Sequence, residues 1–247
     1  MLYIKKLNPS QEIIDEINRV KRTSSINTPK EAAAAFDSLR KDSIRENLIK
    51  EQHGLCAYCM KRIRKDKMII EHYKPKSEHF NLTLDYKNML GVCSGGRDKN
   101  EEKKLCCEAS KGNQEIKINP LSRIDMDKIR YKSDGTIYTY PKDEDFEHDI
   151  NEILRLNGER DENGNLMHDT STELVKGRQD VYKNLYDKFI KGLRSRNKLT
   201  PKNLEKKIHE LEEEETYEEY AGVLLYFLKR DLKRYGRYSQ KTQNIML

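Results

Sequence analysis

The 247-residue chain has no tryptophan, and only 35% of its residues are hydrophobic against 36% charged, with a mean hydropathy of -0.97. That balance excludes a large apolar interior and predicts a thin core, enough for one large or two modest domains. No apolar run approaches the roughly 20 residues that a bilayer-spanning helix requires, which excludes a helical membrane protein. The opening MLYIKKLNPS lacks the apolar core of a signal peptide, so a cytoplasmic chain is expected. There is no internal repeat and no clear linker. Cysteine is scarce as well, and all five (Cys56, Cys59, Cys93, Cys106 and Cys107) fall between positions 56 and 107. In a reducing compartment such clustering favours metal binding over a disulfide framework.

What the chain does have is charge. Its 48 basic and 42 acidic residues give a net +6, an excess that suits a polyanionic partner. The basic residues cluster around the cysteines. Lys61, Arg62, Arg64, Lys65 and Lys67 follow the first pair, Lys74 and Lys76 follow a Glu71-His72 pair, and Arg97, Lys99, Lys103 and Lys104 precede the last two cysteines. Their common neighbourhood points to phosphate contact, with Lys74 and Lys76 as candidates. The acidic run Glu212 to Glu215 reads as a solvated helix face.

Local signals divide the chain into three regions. In residues 1–54, Asn8-Pro9-Ser10 precedes Ile13, Ile14, Ile17 and Val20 at helical spacing, and Thr28-Pro29-Lys30-Glu31 forms a capping box with proline at the first helical position. Two helices are expected, the second running on to His53-Gly54. Residues 55–122 form the cysteine module, with strands at Met68 to Ile70 and Met89 to Val92. A charged loop separates Cys93 from Cys106, and a helical turn after Cys107 stops at Gly112. In residues 123–247, Ser133-Asp134-Gly135-Thr136 marks a hairpin, and 172–195 and 203–235 are strongly helical. The polar turn from Asn157 to Asn165, including Gly164, lacks the register of a calcium loop.

Thiolate is a soft ligand, and zinc takes four ligands in a tetrahedron, so paired cysteines separated by a structured excursion predict a structural zinc site. Cys56 and Cys59 supply one pair. Cys93 and one of Cys106 and Cys107 supply the other, with Cys107 preferred because it leads into the short helix. Adjacent residues on a strand point to opposite faces, so Glu71 and His72 are not simply two ligands of one metal. If His72 faces a cleft, its neutral imidazole suits a general base, while the Glu71 carboxylate suits a hard cation such as Mg²⁺. The remaining histidines, His53, His79, His148, His168 and His209, read as surface residues, and Tyr73 and Tyr86 read as core.

CAYC, EHYKPKS, NMLGVC and CEASKGN occur in that order, and this arrangement resembles the HNH nucleases that carry a zinc-stapled ββα-metal fold. The resemblance implies an α+β chain in which a small zinc-bound nuclease module is embedded between mainly helical N- and C-terminal regions. It further implies that His72 is the general base and that Asn88 orients it through a backbone hydrogen bond. Glu71 and Glu108 would hold a catalytic Mg²⁺ or Mn²⁺, and Lys111 would contact phosphate. The family often has His or Asn where Glu108 stands. INPL, INEILRLN and LVKGRQ extend the likeness to a bacterial subgroup that includes the HNH subunit of Septu-type and retron-associated anti-phage systems. That subgroup implies an ABC-type ATPase partner. The expected activity is nucleic-acid hydrolysis, with DNA ahead of RNA such as tRNA. The rival is a non-catalytic zinc-stabilised adaptor that binds nucleic acid or a partner.

Overall fold

Helices and two small antiparallel sheets alternate along the chain, giving an α+β fold. The computed structural model describes all residues except 98–104, 160, 164, 168, 169 and 244–247. Lys99, Lys103, Lys104, Gly164 and His168 therefore lie outside the described residues. Among the described residues no helix is long and apolar enough to cross a membrane.

Three helices, not two, form the N-terminal region: α1 (Gln11–Thr23), α2 (Pro29–Asp37) and α3 (Asp42–Glu51). Ser10 and Thr28 cap α1 and α2 by accepting from Ile13 and Glu31 N–H, as their positions predict. Glu31 reaches back to the N–H of Asn27, one residue before the cap. The expected long second helix breaks after Asp37 because a buried carboxylate competes for its backbone. Glu16 accepts the N–H of Arg40 at 2.7 Å and pairs with the side chains of Arg40 and Arg19, while Arg19 also donates to the Ser38 carbonyl at 2.9 Å.

Strand β1 (Ile69–His72) pairs with β2 (Met89–Val92) in antiparallel register, Ile69 opposite Val92 and His72 opposite Met89. Glu71 and His72 thus lie within the first strand. Gln52, just past α3, brackets β2 by accepting Gly91 N–H and donating to the Gly91 carbonyl, both at 2.7 Å. The short helix α4 (Cys107–Lys111) stops at Gly112, whose φ of +53° suits glycine.

After α5 (Arg123–Met126), the expected hairpin forms from β3 (Ile129–Tyr131) and β4 (Ile137–Thr139), followed by α6 (Glu144–His148). Helices α7 (Thr170–Asp180) and α8 (Lys188–Ser195) join through a π-helical stretch, Val181–Asp187. The second predicted helical span is two helices, α9 (Pro201–Glu212) and α10 (Ala221–Gln243). The interruption has a tertiary cause. Tyr217 N–H donates to the His53 carbonyl and Tyr220 N–H to the Met60 carbonyl, both at 3.0 Å, and Glu219 accepts Arg62 N–H at 2.7 Å. The connecting segment is thereby fastened to the cysteine module, and Glu213 to Glu215 are exposed in the turn rather than on a helix face. One hydrophobic core runs from Met1 to Leu228 and joins all three regions.

Candidate functional site

The cysteine cluster is built by local backbone bonds. Met60 N–H donates to the Cys56 carbonyl at 3.1 Å and Cys56 N–H to the Lys61 carbonyl at 2.8 Å, folding the first pair into a tight turn. Lys61 N–H is 3.5 Å from Cys59 Sγ. Cys93 follows β2 directly, and Gly95 then lets the chain pass over the start of α4. A Cβ at Gly95 would come within 2.2 Å of the Cys106 carbonyl oxygen. Cys107 opens α4 in the left-handed region, φ +53°, fixed by its N–H bond to the Leu154 carbonyl at 2.9 Å.

The sulfur atoms of Cys56, Cys59, Cys93 and Cys107 lie within 4.8 Å of one another, with Cys59 and Cys93 at 3.7 Å. Sulfurs at about 2.3 Å from a tetrahedral zinc are about 3.8 Å apart, so donor chemistry and spacing fit a metal ion such as zinc. Cys107 is the fourth member, as the sequence favours, and Cys106 is buried outside the group.

Glu71 and His72 leave β1 towards different neighbours, as strand alternation requires. Glu71 is 7% exposed, and its Oε1 lies 2.8 Å from Lys111 Nζ and 3.5 Å from the Tyr58 hydroxyl. The Lys111 contact is an ion pair whose angle does not make a directed hydrogen bond. Both partners are anchored by the cysteine cluster, since Tyr58 sits between Cys56 and Cys59 and Lys111 lies one turn beyond Cys107. Burial pushes the Glu71 carboxyl above its ordinary pKa, Lys111 opposes that, and the nearby Glu108 charge adds to the rise. Glu108 itself pairs with Arg97 through both carboxylate oxygens. Sequence analysis places the Glu71 and Glu108 carboxylates at a catalytic cation. They are close enough to repel, and in this structure each is held by a protein cation.

His72 is 4% exposed. Its Nε2 is 2.8 Å from the Thr83 carbonyl oxygen, which can only accept, so the proton sits on Nε2 and the lone pair on Nδ1. Phe36 of α2 meets the imidazole edge-on at 4.7 Å. Burial drives the His72 pKa down to about 4, against the pull of the Thr83 carbonyl, and the Lys76 and Lys111 charges add to the fall. The ring is therefore neutral at pH 7.

Asn88 acts on the backbone just past His72. Its side chain accepts Lys74 N–H at 2.8 Å and donates to the Lys74 carbonyl at 3.0 Å, and its own carbonyl accepts Tyr73 N–H at 2.9 Å. The clamp falls on Tyr73 and Lys74 rather than on His72.

The candidate phosphate-binding lysines separate. Lys111 is 1% exposed and committed to Glu71, Lys74 pairs with Glu115 at 3.2 Å, and Lys76 lies over the Phe36 ring at 4.7 Å. His79 also meets Glu115, so the loop after β1 is tied to the segment after α4. The first basic cluster lies elsewhere. Lys61, Arg62, Arg64 and Lys67 line a cleft of about 290 Å³ with Cys93 and Cys106, on the cysteine side of the module. Tyr86 is core, bonded to Glu51 at 3.0 Å, and Tyr73 is half-buried with its hydroxyl on the Ile116 carbonyl. His53, expected at the surface, stacks flat on Tyr217 at 3.9 Å.

Sequence reasoning missed Tyr58, Thr83 and Phe36. Tyr58 carries a faint signal, since a large polar aromatic inside a Cys-x-x-Cys turn has to be placed somewhere. Thr83 contributes a main-chain carbonyl, which no residue type announces. The chain matches no protein-family model and no curated protein.

Proposed function

We propose that the chain is a metal-dependent endonuclease of the HNH type that hydrolyses phosphodiester bonds. The observation that carries this reading is the His72 hydrogen bond to the Thr83 carbonyl, which fixes a neutral imidazole with Nδ1 as its basic atom on the strand that also carries Glu71. In the reaction, Nδ1 takes a proton from water as the water oxygen attacks phosphorus. The bond from phosphorus to the 3′ oxygen breaks in line, leaving a 5′-phosphate and a 3′ oxygen that takes a proton from solvent water to become the 3′-hydroxyl. Glu71 and Glu108 are hard oxygen donors suited to Mg²⁺ or Mn²⁺, an ion that supplies charge neutralisation at the phosphate and the leaving oxygen. To hold it, Glu71 and Glu108 would give up their pairs with Lys111 and Arg97, and both cations would then be available to phosphate oxygens. Zinc at the four cysteines has a structural part, because Tyr58 and Lys111 hold Glu71 from positions that the cysteines fix. The net charge of +6 suits a polyanionic substrate, for which DNA is proposed ahead of RNA, and the subgroup resemblance adds an ABC-type ATPase partner in anti-phage defence.

A second reading has one observation in its favour. Both carboxylates already hold protein cations, which suits a zinc-stabilised adaptor that binds nucleic acid without cutting it. Cleavage of plasmid DNA and total tRNA in Mg²⁺ or Mn²⁺, by wild type and His72→Ala of equal zinc content and with the ATPase present, separates the two. The nuclease reading expects a rate loss on the order of 10²-fold or more in the variant. Equal cutting, or binding without cutting by either protein, leaves the adaptor.

A further inference from the structure

Arg178, in the LVKGRQ stretch on α7, is completely buried at 0% exposure. Its Nε donates to the Gly135 carbonyl and its Nη2 to the Leu156 carbonyl, both at 2.6 Å, and its Nη1 is buried with no hydrogen-bond partner. Among the described residues no carboxylate forms an ion pair with it. A guanidinium keeps its proton under all ordinary conditions, so this is a full positive charge taken out of water with only neutral carbonyls attached. Such a charge requires a counter-charge within the same low-dielectric volume.

The counter-charge that the fold brings to Arg178 is the sulfur cluster, joined to it by neighbouring backbone anchors. Burial works against the Arg178 charge, while the tyrosines Tyr131 and Tyr220 and then the cysteines Cys59 and Cys107 favour it. Two stretches of chain tie the arginine to the cysteine cluster. The INEILRLN segment offers the Leu156 carbonyl to Arg178 and the Leu154 carbonyl to the Cys107 N–H. Next to Arg178, Gly177 has no room for a side chain, because a Cβ would stand 2.4 Å from the Tyr220 ring. Tyr220 in turn bonds Met60, the residue after Cys59. Both stretches thus converge behind the cysteine cluster.

Four thiolates around one divalent ion sum to a net charge of minus two. Lys61, which pairs with Glu173 at 3.7 Å, lines the cleft beside Cys93. We propose that Arg178 is the buried counter-ion of the four-cysteine metal centre, so that metal loading and the packing of α7 onto the module stabilise one another. The proposal concerns a positioning residue for the metal centre and holds whether or not the chain cuts nucleic acid. It also explains why the orphaned Nη1 is tolerated, since the net charge of the loaded centre takes the place of a bonded partner.

The test uses the full chain as wild type, Arg178→Gln and Arg178→Lys, each loaded with one equivalent of zinc. Two quantities are read: the rate of zinc release to a chromogenic chelator, and the difference in Tm between zinc-loaded and zinc-free protein. The expected result is release about tenfold faster or more in Arg178→Gln, a difference of roughly 1.4 kcal/mol, together with a smaller zinc-dependent gain in Tm. Arg178→Lys, which keeps the charge but not the fork to two carbonyls, releases zinc within about threefold of wild type. Release from Arg178→Gln at the wild-type rate overturns the proposal. So does Arg178→Lys losing zinc as fast as Arg178→Gln, because the carbonyl bonds would then be the whole role. If Arg178→Gln is not recovered folded, Arg178→Lys against wild type decides alone: release within about threefold upholds the counter-ion, and release about tenfold faster removes it.

Discussion

The cysteine cluster and the Glu71–His72 site occupy one module and differ in how their charge is balanced. The cluster gathers four soft donors within 4.8 Å, three of them buried and Cys93 partly so, in an arrangement that could hold a metal ion such as zinc. At the other site, protein cations already balance the acids, Lys111 on Glu71 and Arg97 on Glu108, and the imidazole is neutral. The first arrangement is closed and suits a permanent ion. The second is balanced within the protein, and under the nuclease proposal a cation and a phosphate together would replace the internal pairs. The two are joined through Tyr58 and Lys111, which belong to the cysteine elements and reach Glu71.

The sharpest way to break this contrast is to remove a ligand. Cys107→Ser should abolish bound zinc and the cooperative unfolding transition, because metal binding at such sites contributes on the order of 10 kcal/mol to folding. Cys106→Ser should keep one equivalent of zinc. Metal analysis with thermal unfolding checks both, and equal zinc loss in the two variants would contradict the assignment of the fourth ligand.

A smaller effect probes the Glu71 site. Lys111→Met leaves a buried carboxylate without its cation and should cost about 3 kcal/mol of stability. Added Mn²⁺ should restore part of that loss in the variant and change wild type less, measured by denaturant unfolding with and without the ion. An equal Mn²⁺ response in both would mean that Lys111 and a cation do not compete for Glu71.

Glu16, on α1 outside the cysteine module, provides a comparison, since it too holds internal cations. Hydrogen bonds from Arg19 and then Arg40 set its pKa far below the ordinary carboxylate range. A depressed pKa means that the unfolded chain binds the proton more readily, so the stabilisation is present above about pH 4.5 and is lost as pH falls below it. Glu16→Gln should lower stability by about 1–2 kcal/mol at pH 7 and flatten the acid limb of a stability–pH curve. Zinc content should be unchanged.

The smallest expected effect is that of Tyr58→Phe, which removes a single hydroxyl 3.5 Å from Glu71. Zinc should stay bound and the cleavage rate should fall by less than about tenfold, or 1.4 kcal/mol. A loss as large as that of His72→Ala would place Tyr58 in the chemistry rather than in the support of Glu71.

Much of this was legible in the sequence where the cause was local. Ser10 and Thr28 announce their helices, Gly112 ends α4, and the Gly135 turn makes the hairpin, because capping and left-handed turns depend on neighbours in the chain. The cysteine set was legible down to Cys107, since soft donors at that spacing have few other uses. The misjudged helix lengths share a distant cause. Glu16 takes the Arg40 N–H and so ends α2, while His53 and Met60 take the N–H groups of Tyr217 and Tyr220 and so divide α9 from α10. The roles of Lys111 and Arg97 were hidden for a related reason. A lysine or arginine beside a basic cluster reads as solvent-facing, and only the fold shows that each faces a carboxylate.

The most direct measurement is Mn²⁺ binding to the zinc-loaded chain, followed by electron paramagnetic resonance, in wild type and in Glu71→Gln. An exchangeable hard-ion site beside a permanent four-cysteine centre predicts Mn²⁺ bound by wild type, strongly weakened binding in Glu71→Gln, and zinc at one equivalent in both. No Mn²⁺ bound by wild type, or the same binding in the variant, would contradict it.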